Sequence, residues 1–181
     1  MASITSPEND TADAAHALPP AVRVDSWFMR TRLAHMLALG FGSGLSPFAP
    51  GTVATVWAWL AWLVLGFWFD EPTFVGLVLL AFAVGVWACG RTSTALGVHD
   101  HRAIVWDEIA AFWLVLLFTP PTLAWQAAAF VLFRFFDILK PPPIRWCDER
   151  LPGGFGIMFD DLLAALFSMF VLAAATAGWF W

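Results

Sequence analysis

Five apolar runs leave this chain few folds to choose from: residues 53–69, 73–89, 103–118, 123–139 and 162–181. Each lies near the lower end of the ~17–25 residues that an apolar helix needs to cross a bilayer. A backbone surrounded by lipid must satisfy its own hydrogen bonds, so runs of this kind imply helices rather than open strands. The chain is 60% hydrophobic and 13% charged, with twelve Trp, eighteen Phe and no Tyr. Its mean hydropathy is +0.74. Ordinary soluble proteins do not have this make-up. The sequence therefore predicts an all-α integral membrane helical bundle of about five apolar segments, formed by a single domain over residues 27–181.

Residues 1–26 are rich in Ala, Asp, Thr and Pro and carry no apolar periodicity, so a disordered polar tail is expected there. Its acids Glu8, Asp10, Asp13 and Asp25 contribute to a net charge of -5. Without a basic patch the chain has no electrostatic footing on nucleic acid. The first thirty residues lack the basic start, apolar run and small-residue cleavage site of a signal peptide, so export by that route is not expected. Cys89 and Cys147 fit no redox or metal spacing, and the residue six beyond each is Ala95 or Gly153, which excludes a cysteine phosphatase. A short surface helix is expected over 27–39. The Gly-, Ser- and Pro-rich stretch 40–52 should then form a re-entrant or interfacial loop.

If all five runs cross, the turns at 70–73 and 119–122 share one side and hold no Lys or Arg. Arg91, Arg102, Lys140, Arg145 and Arg150 fall on the other side, as do Arg23, Arg30 and Arg32 if 40–52 does not span. Positive residues in short loops mark the cytoplasmic face. The same arrangement gathers 40–52, 99–108, 140–147 and 153–161 at that face, where a site is expected.

Charges inside apolar runs are costly, so the few present are site candidates by default. Asp107 and Glu108 precede an apolar helix and would complement its dipole, but two adjacent acids exceed what that requires. Asp160 and Asp161 invite either a capping reading or a functional one. Arg134 and Asp137 share a helix face, and Asp137 either binds metal or simply holds Arg134. Lys140 and Arg145 flank the stiff Pro141–Pro143 segment and suit phosphate capture as well as positive-inside flanking. Ser43 and Thr52 offer hydroxyls to phosphate oxygens. His99, Asp100 and His101 form a polar knot that is either a metal site or a solvated loop. Carboxylates with few soft ligands and nearby cations describe an oxygen site for a hard metal, and Mg²⁺ suits it. At a membrane interface that chemistry points to phosphoryl transfer on a phospholipid.

Four motifs in order, GFGSGLSPFAPGT, GVHDHRAIVWDE, FRFFDILKPPPIRWCD and GGFGIMFDD, resemble the bacterial phosphatidylglycerophosphatase A family from about Leu33 onward. The resemblance implies a multi-pass enzyme of the bacterial inner membrane with its active site facing the cytoplasm. It further implies Mg²⁺-dependent removal of the terminal phosphate of phosphatidylglycerophosphate, giving phosphatidylglycerol. The family's acidic positions fall on Asp100, Asp107, Glu108, Asp137, Asp160 and Asp161, and its cationic ones on Arg134, Lys140 and Arg145. After Pro50-Gly51-Thr52 the family commonly has Gly and then Ser or Thr, whereas this chain has Ala54 and Thr55. Some relatives are compact soluble helical proteins. Asp107, Glu108, Asp160 and Asp161, with Asp100 or Asp137, are expected to hold one or two Mg²⁺ ions. The nucleophile is either a carboxylate or an activated water. Rival readings are another membrane phospholipid phosphatase or phosphotransferase, and a small ion-binding transporter. Oligomeric state is not legible.

Overall fold

The computed structural model describes residues 22–179, and those residues contain helices and no strands. Residues 1–21 of the expected tail lie outside the described residues. The surface helix expected over 27–39 is two short helices, α1 (Ser26–Thr31) and α2 (Leu33–Ala38), with an extended Arg32 between them. Asp25 caps α1 by accepting from the Phe28 amide at 2.9 Å. A 3₁₀ turn over Gly40–Leu45 follows.

The bundle proper comprises α3 (Pro50–Leu65), α4 (Glu71–Leu96), α5 (Trp106–Leu117), α6 (Leu123–Leu139), the short α7 (Ile144–Arg150) and α8 (Gly153–Trp179). Several of these termini have a local cause. Pro50 opens α3, where a missing amide hydrogen costs nothing. Asp70 and Thr122 cap α4 and α6 with side-chain oxygens. Gly97, in the left-handed conformation, ends α4.

Two helices, α4 and α8, are long and apolar enough to cross a membrane, fewer than the five expected. The reason is where the helices begin and end. Residues 103–105 are not helical, and the Val105 amide is bonded to the Ala38 carbonyl at 2.9 Å, so α5 has only 12 residues. At ~1.5 Å per residue that is ~18 Å, well short of a hydrocarbon core of ~30 Å. By the same measure α3, with 16 residues, and α6, with 17, reach only ~24–26 Å.

The short α5 is the centre of the molecule. Ile109, Ala110, Ala111, Phe112 and Val115 are fully buried. Its two indoles pin it to its neighbours, Trp106 Nε1 donating to Ala81 O on α4 at 2.9 Å and Trp113 Nε1 to Ala58 O on α3 at 2.8 Å. Helices α4 and α8 meet closely where Gly154 lies against Gly90 and the Val86 carbonyl, and a Cβ at Gly154 would collide with that backbone. Around this core the exterior is apolar, with Leu60, Val64, Leu79, Leu80, Val131, Ile138 and Phe170 all exposed. A patch of this extent marks an interaction surface rather than a water-facing one, and with two helices of spanning length it fits membrane association.

Candidate active site

The chain turns back on itself often enough to bring the start of α3, the end of α4, the start of α5, the end of α6 and the first turns of α8 to one end of the bundle. There a cavity of about 210 Å³ is lined by six carboxylates: Asp100, Asp107, Glu108, Asp137, Asp160 and Asp161. Arg102, Arg134 and Lys140 line it too, and Ala49, Pro50, Gly51 and Ile104 complete the wall.

Helix geometry explains the convergence. Asp107 and Glu108 occupy the first turn of α5, and Asp107 Oδ1 accepts from the Glu108 amide at 3.0 Å. Asp160 and Asp161 lie two turns inside α8, which starts at Gly153, so the capping reading does not apply to them. Both are almost completely buried. Arg134 and Asp137 are three residues apart on α6 and face the same cavity. Gly51 is required here. A Cβ at that position would overlap the Glu108 carboxylate and press on Arg134.

The cations are unequally committed. Arg134 Nη1 donates to Glu108 Oε1 at 3.0 Å and to Asp137 Oδ2 at 2.5 Å, and all three side chains are less than 15% exposed. Lys140 Nζ bridges Asp160 Oδ2 at 2.5 Å and Asp148 Oδ2 at 3.2 Å. Burial pulls the Lys140 ammonium down, but the facing carboxylates, Asp160 first, outweigh it and hold the ammonium above its ordinary value. Arg102 is exposed and forms no ion pair among the described residues. Ala49 and Lys140 both adopt left-handed backbone (φ 41) and both line the cavity. Non-glycine residues rarely take that conformation without a surrounding structure that enforces it.

Three buried carboxylate oxygens, Glu108 Oε2, Asp160 Oδ1 and Asp161 Oδ2, have no hydrogen-bond partner. Six acids against three cations also leave negative charge in excess. Oxygen donors that are buried, unpartnered and surplus in charge suit a hard divalent cation. Among the described residues no three acidic, His or Cys side chains are arranged to form a complete metal cage. Mg²⁺ does not need one, since one or two carboxylates usually serve, with waters and phosphate oxygens as the remaining ligands.

Other expected site residues lie elsewhere. Arg145 is 73% exposed on α7, where its Nε donates to Glu149 Oε1 at 3.0 Å, and it does not line the cavity. Ser43 folds back within the 3₁₀ turn and donates to Gly40 O at 2.8 Å. Thr52, in the first turn of α3, is not in the wall either. His101 Nδ1 accepts from the Ala103 amide, and neither it nor the exposed His99 reaches the cavity. Arg102 was not singled out from sequence, although its place between Asp100 and Asp107 was the available signal. Asp148, which pairs with Lys140, was also missed.

Fold and site together define an all-helical protein with an apolar exterior and a buried, acid-lined catalytic-type chamber at one end. The phosphatidylglycerophosphatase A family model matches residues 36–176, and the chain belongs to that family. It is 49% identical over 146 residues to the phosphatidylglycerophosphatase A of Haemophilus influenzae, covering 77% of this chain and 86% of that protein. To the phosphatidylglycerophosphatase A of Escherichia coli it is 44% identical over 139 residues, covering 76% and 80%. A Bacteroides thetaiotaomicron relative, provisionally named a phosphatidylinositol-3-phosphatase, is 39% identical over 147 residues, covering 77% and 91%. No solved structure matches the chain. The family is one of phosphatases, and the enzyme class of this chain follows from its membership.

Proposed function

We propose that this chain hydrolyses the terminal phosphomonoester of phosphatidylglycerophosphate, releasing phosphate and phosphatidylglycerol, at the cytoplasmic face of the bacterial inner membrane. The carrying observation is the convergence of acids from α5, α6 and α8 with Arg102 and Lys140 around one cavity in an apolar bundle. The relatives named for this reaction supply the substrate. Charge supports this orientation: Arg102 and Lys140 line the chamber, Arg91 lies in the last turns of α4 beside it, and the turns 70–73 and 119–122 carry no Lys or Arg.

One or two of Asp107, Asp160 and Asp161, with waters and phosphate oxygens completing the shell, would hold Mg²⁺. Bound there, the ion supplies positive charge to the phosphate oxygens and the leaving oxygen. The chain does the rest. Arg102, uncommitted at the mouth, takes up the phosphate as a paired donor, and Lys140 adds a point charge. Arg134 fixes Glu108 through Oε1 and leaves Oε2 free. That oxygen accepts a proton from the attacking water as the water oxygen bonds to phosphorus and the ester P–O bond breaks; the departing alkoxide then takes the proton up.

The test is phosphate release by purified protein in detergent, with and without Mg²⁺. Phosphatidylglycerophosphate, phosphatidylinositol 3-phosphate, phosphatidic acid and a soluble phosphomonoester serve as parallel substrates. Release from phosphatidylglycerophosphate well above the others, abolished without Mg²⁺, is expected. Preference for another substrate overturns the assignment of the lipid, and full activity after metal removal overturns that of the cofactor.

A further inference from the structure

A second pocket, apolar over most of its lining but carrying two cations, lies at the same end of the bundle, between α1, α2 and the last turns of α4. It encloses about 420 Å³ and shares no lining residue with the chamber. Arg32 and Arg91 line it, both exposed, and neither forms an ion pair among the described residues. His35 also lines it, at 3% exposure. The His35 ring is stacked on Phe28 with centroids 4.2 Å apart, and its Nδ1 lies 3.2 Å from Phe28 O and 3.0 Å from Thr31 Oγ1. Thr31 Oγ1 donates to the same Phe28 carbonyl at 2.6 Å, so this side of the ring is fully engaged. The other ring nitrogen, Nε2, is buried and has no partner. A buried ring nitrogen left unpaired, in a pocket that also holds two uncommitted arginines, is unfavourable unless something fills the gap.

We infer that this pocket, formed by Arg32, Arg91 and His35, binds a phosphate group. The inference does not rest on the phosphatase reading. Phosphate oxygens accept from both guanidinium groups in the geometry that Arg favours. An imidazolium Nε2–H donates to a phosphate oxygen, which satisfies the orphaned nitrogen. Trp27, 75% exposed, and Phe28 line the same pocket. Apolar rings beside cations suit the headgroup region of a membrane, where an anionic phospholipid presents its phosphate. A dissolved phosphate offers the same chemistry, and the two sources are separable by experiment.

The experiment follows the His35 Nε2 resonance in ¹⁵N-histidine-labelled full-length protein held in maltoside micelles, which carry no phosphate. Phosphatidylglycerol is added to the micelles in one arm and inorganic phosphate to the buffer in the other. A saturable shift with the lipid alone assigns the pocket to a headgroup, and one with inorganic phosphate assigns it to the free ion; both support a phosphate site. Replacing both arginines (R32Q with R91Q) should weaken the response by about tenfold or more, as for loss of charge-assisted hydrogen bonds. The shift should persist in Asp161→Asn protein, which separates this pocket from the chamber. Both arginines are exposed, so the double variant should fold, and its thermal melt in detergent should match wild type. No shift in either arm, or an unchanged titration in the double variant, overturns the inference.

Discussion

The two ends of this bundle are built from the same helices and treat polar groups in opposite ways. At the end holding the 70–73 and 119–122 turns, each polar side chain has a local job. Asp70 accepts from the Thr73 amide and hydroxyl, and these bonds pull its carboxyl below the usual range. Thr119 Oγ1 donates to Val115 O at 2.7 Å, and Gln126 Oε1 accepts from Trp59 Nε1 at 2.8 Å. At the other end acids are concentrated beyond any capping need, backbone is held in left-handed conformations, and three buried carboxylate oxygens lack partners. Polar groups that serve the fold are satisfied within it. Those held unsatisfied at a cost are available to a ligand.

Substitutions at the two ends should therefore separate activity from stability. The largest effect is expected from Asp107→Asn or Asp161→Asn, each lowering kcat for phosphate release by ~10²–10⁴, the span typical of losing a positioned acid–base or ligand group. Melting temperatures should hold or rise, because each change removes one of several crowded acids. A parallel loss of folding would break the contrast. Next comes Gly51→Ala, whose methyl displaces the Glu108 carboxylate; about a hundredfold loss of kcat is expected for a misplacement of this size, read in the same assay. Arg102→Gln should raise KM about tenfold with a smaller change in kcat, as expected for uniform phosphate binding. The smallest effect belongs to the other end. Asp70→Ala should slightly lower the midpoint of a denaturation experiment, as for loss of an N-cap, and leave kcat unchanged.

Much of the chamber was legible because ionisable residues are rare in this sequence. Asp107, Glu108, Asp137, Asp160, Asp161, Arg134 and Lys140 stood out inside or beside apolar runs, and all seven line the cavity. The cations of the loops were harder to read. Arg145 and Arg102 both sit near the acids in sequence, yet α7 turns Arg145 outward to pair with Glu149, while the 101–103 turn carries Arg102 to the cavity wall. Loop residues have no periodicity from which to infer direction. Hydropathy identified the apolar runs but not where helices begin, so it could not show that the non-helical 103–105 segment leaves α5 short. His35 gave no sequence signal either, since a lone histidine acquires meaning only from what lies around it.

The central claim is that the α5 acids and the α8 acids form one site. A double-mutant cycle on phosphate release, using Asp107→Asn, Asp161→Asn and the combined variant, tests it directly. Residues acting as a unit are strongly non-additive, so the combined variant should lose little more than the worse of the two singles. If the two losses multiply, the acids act independently and the single-site account is contradicted.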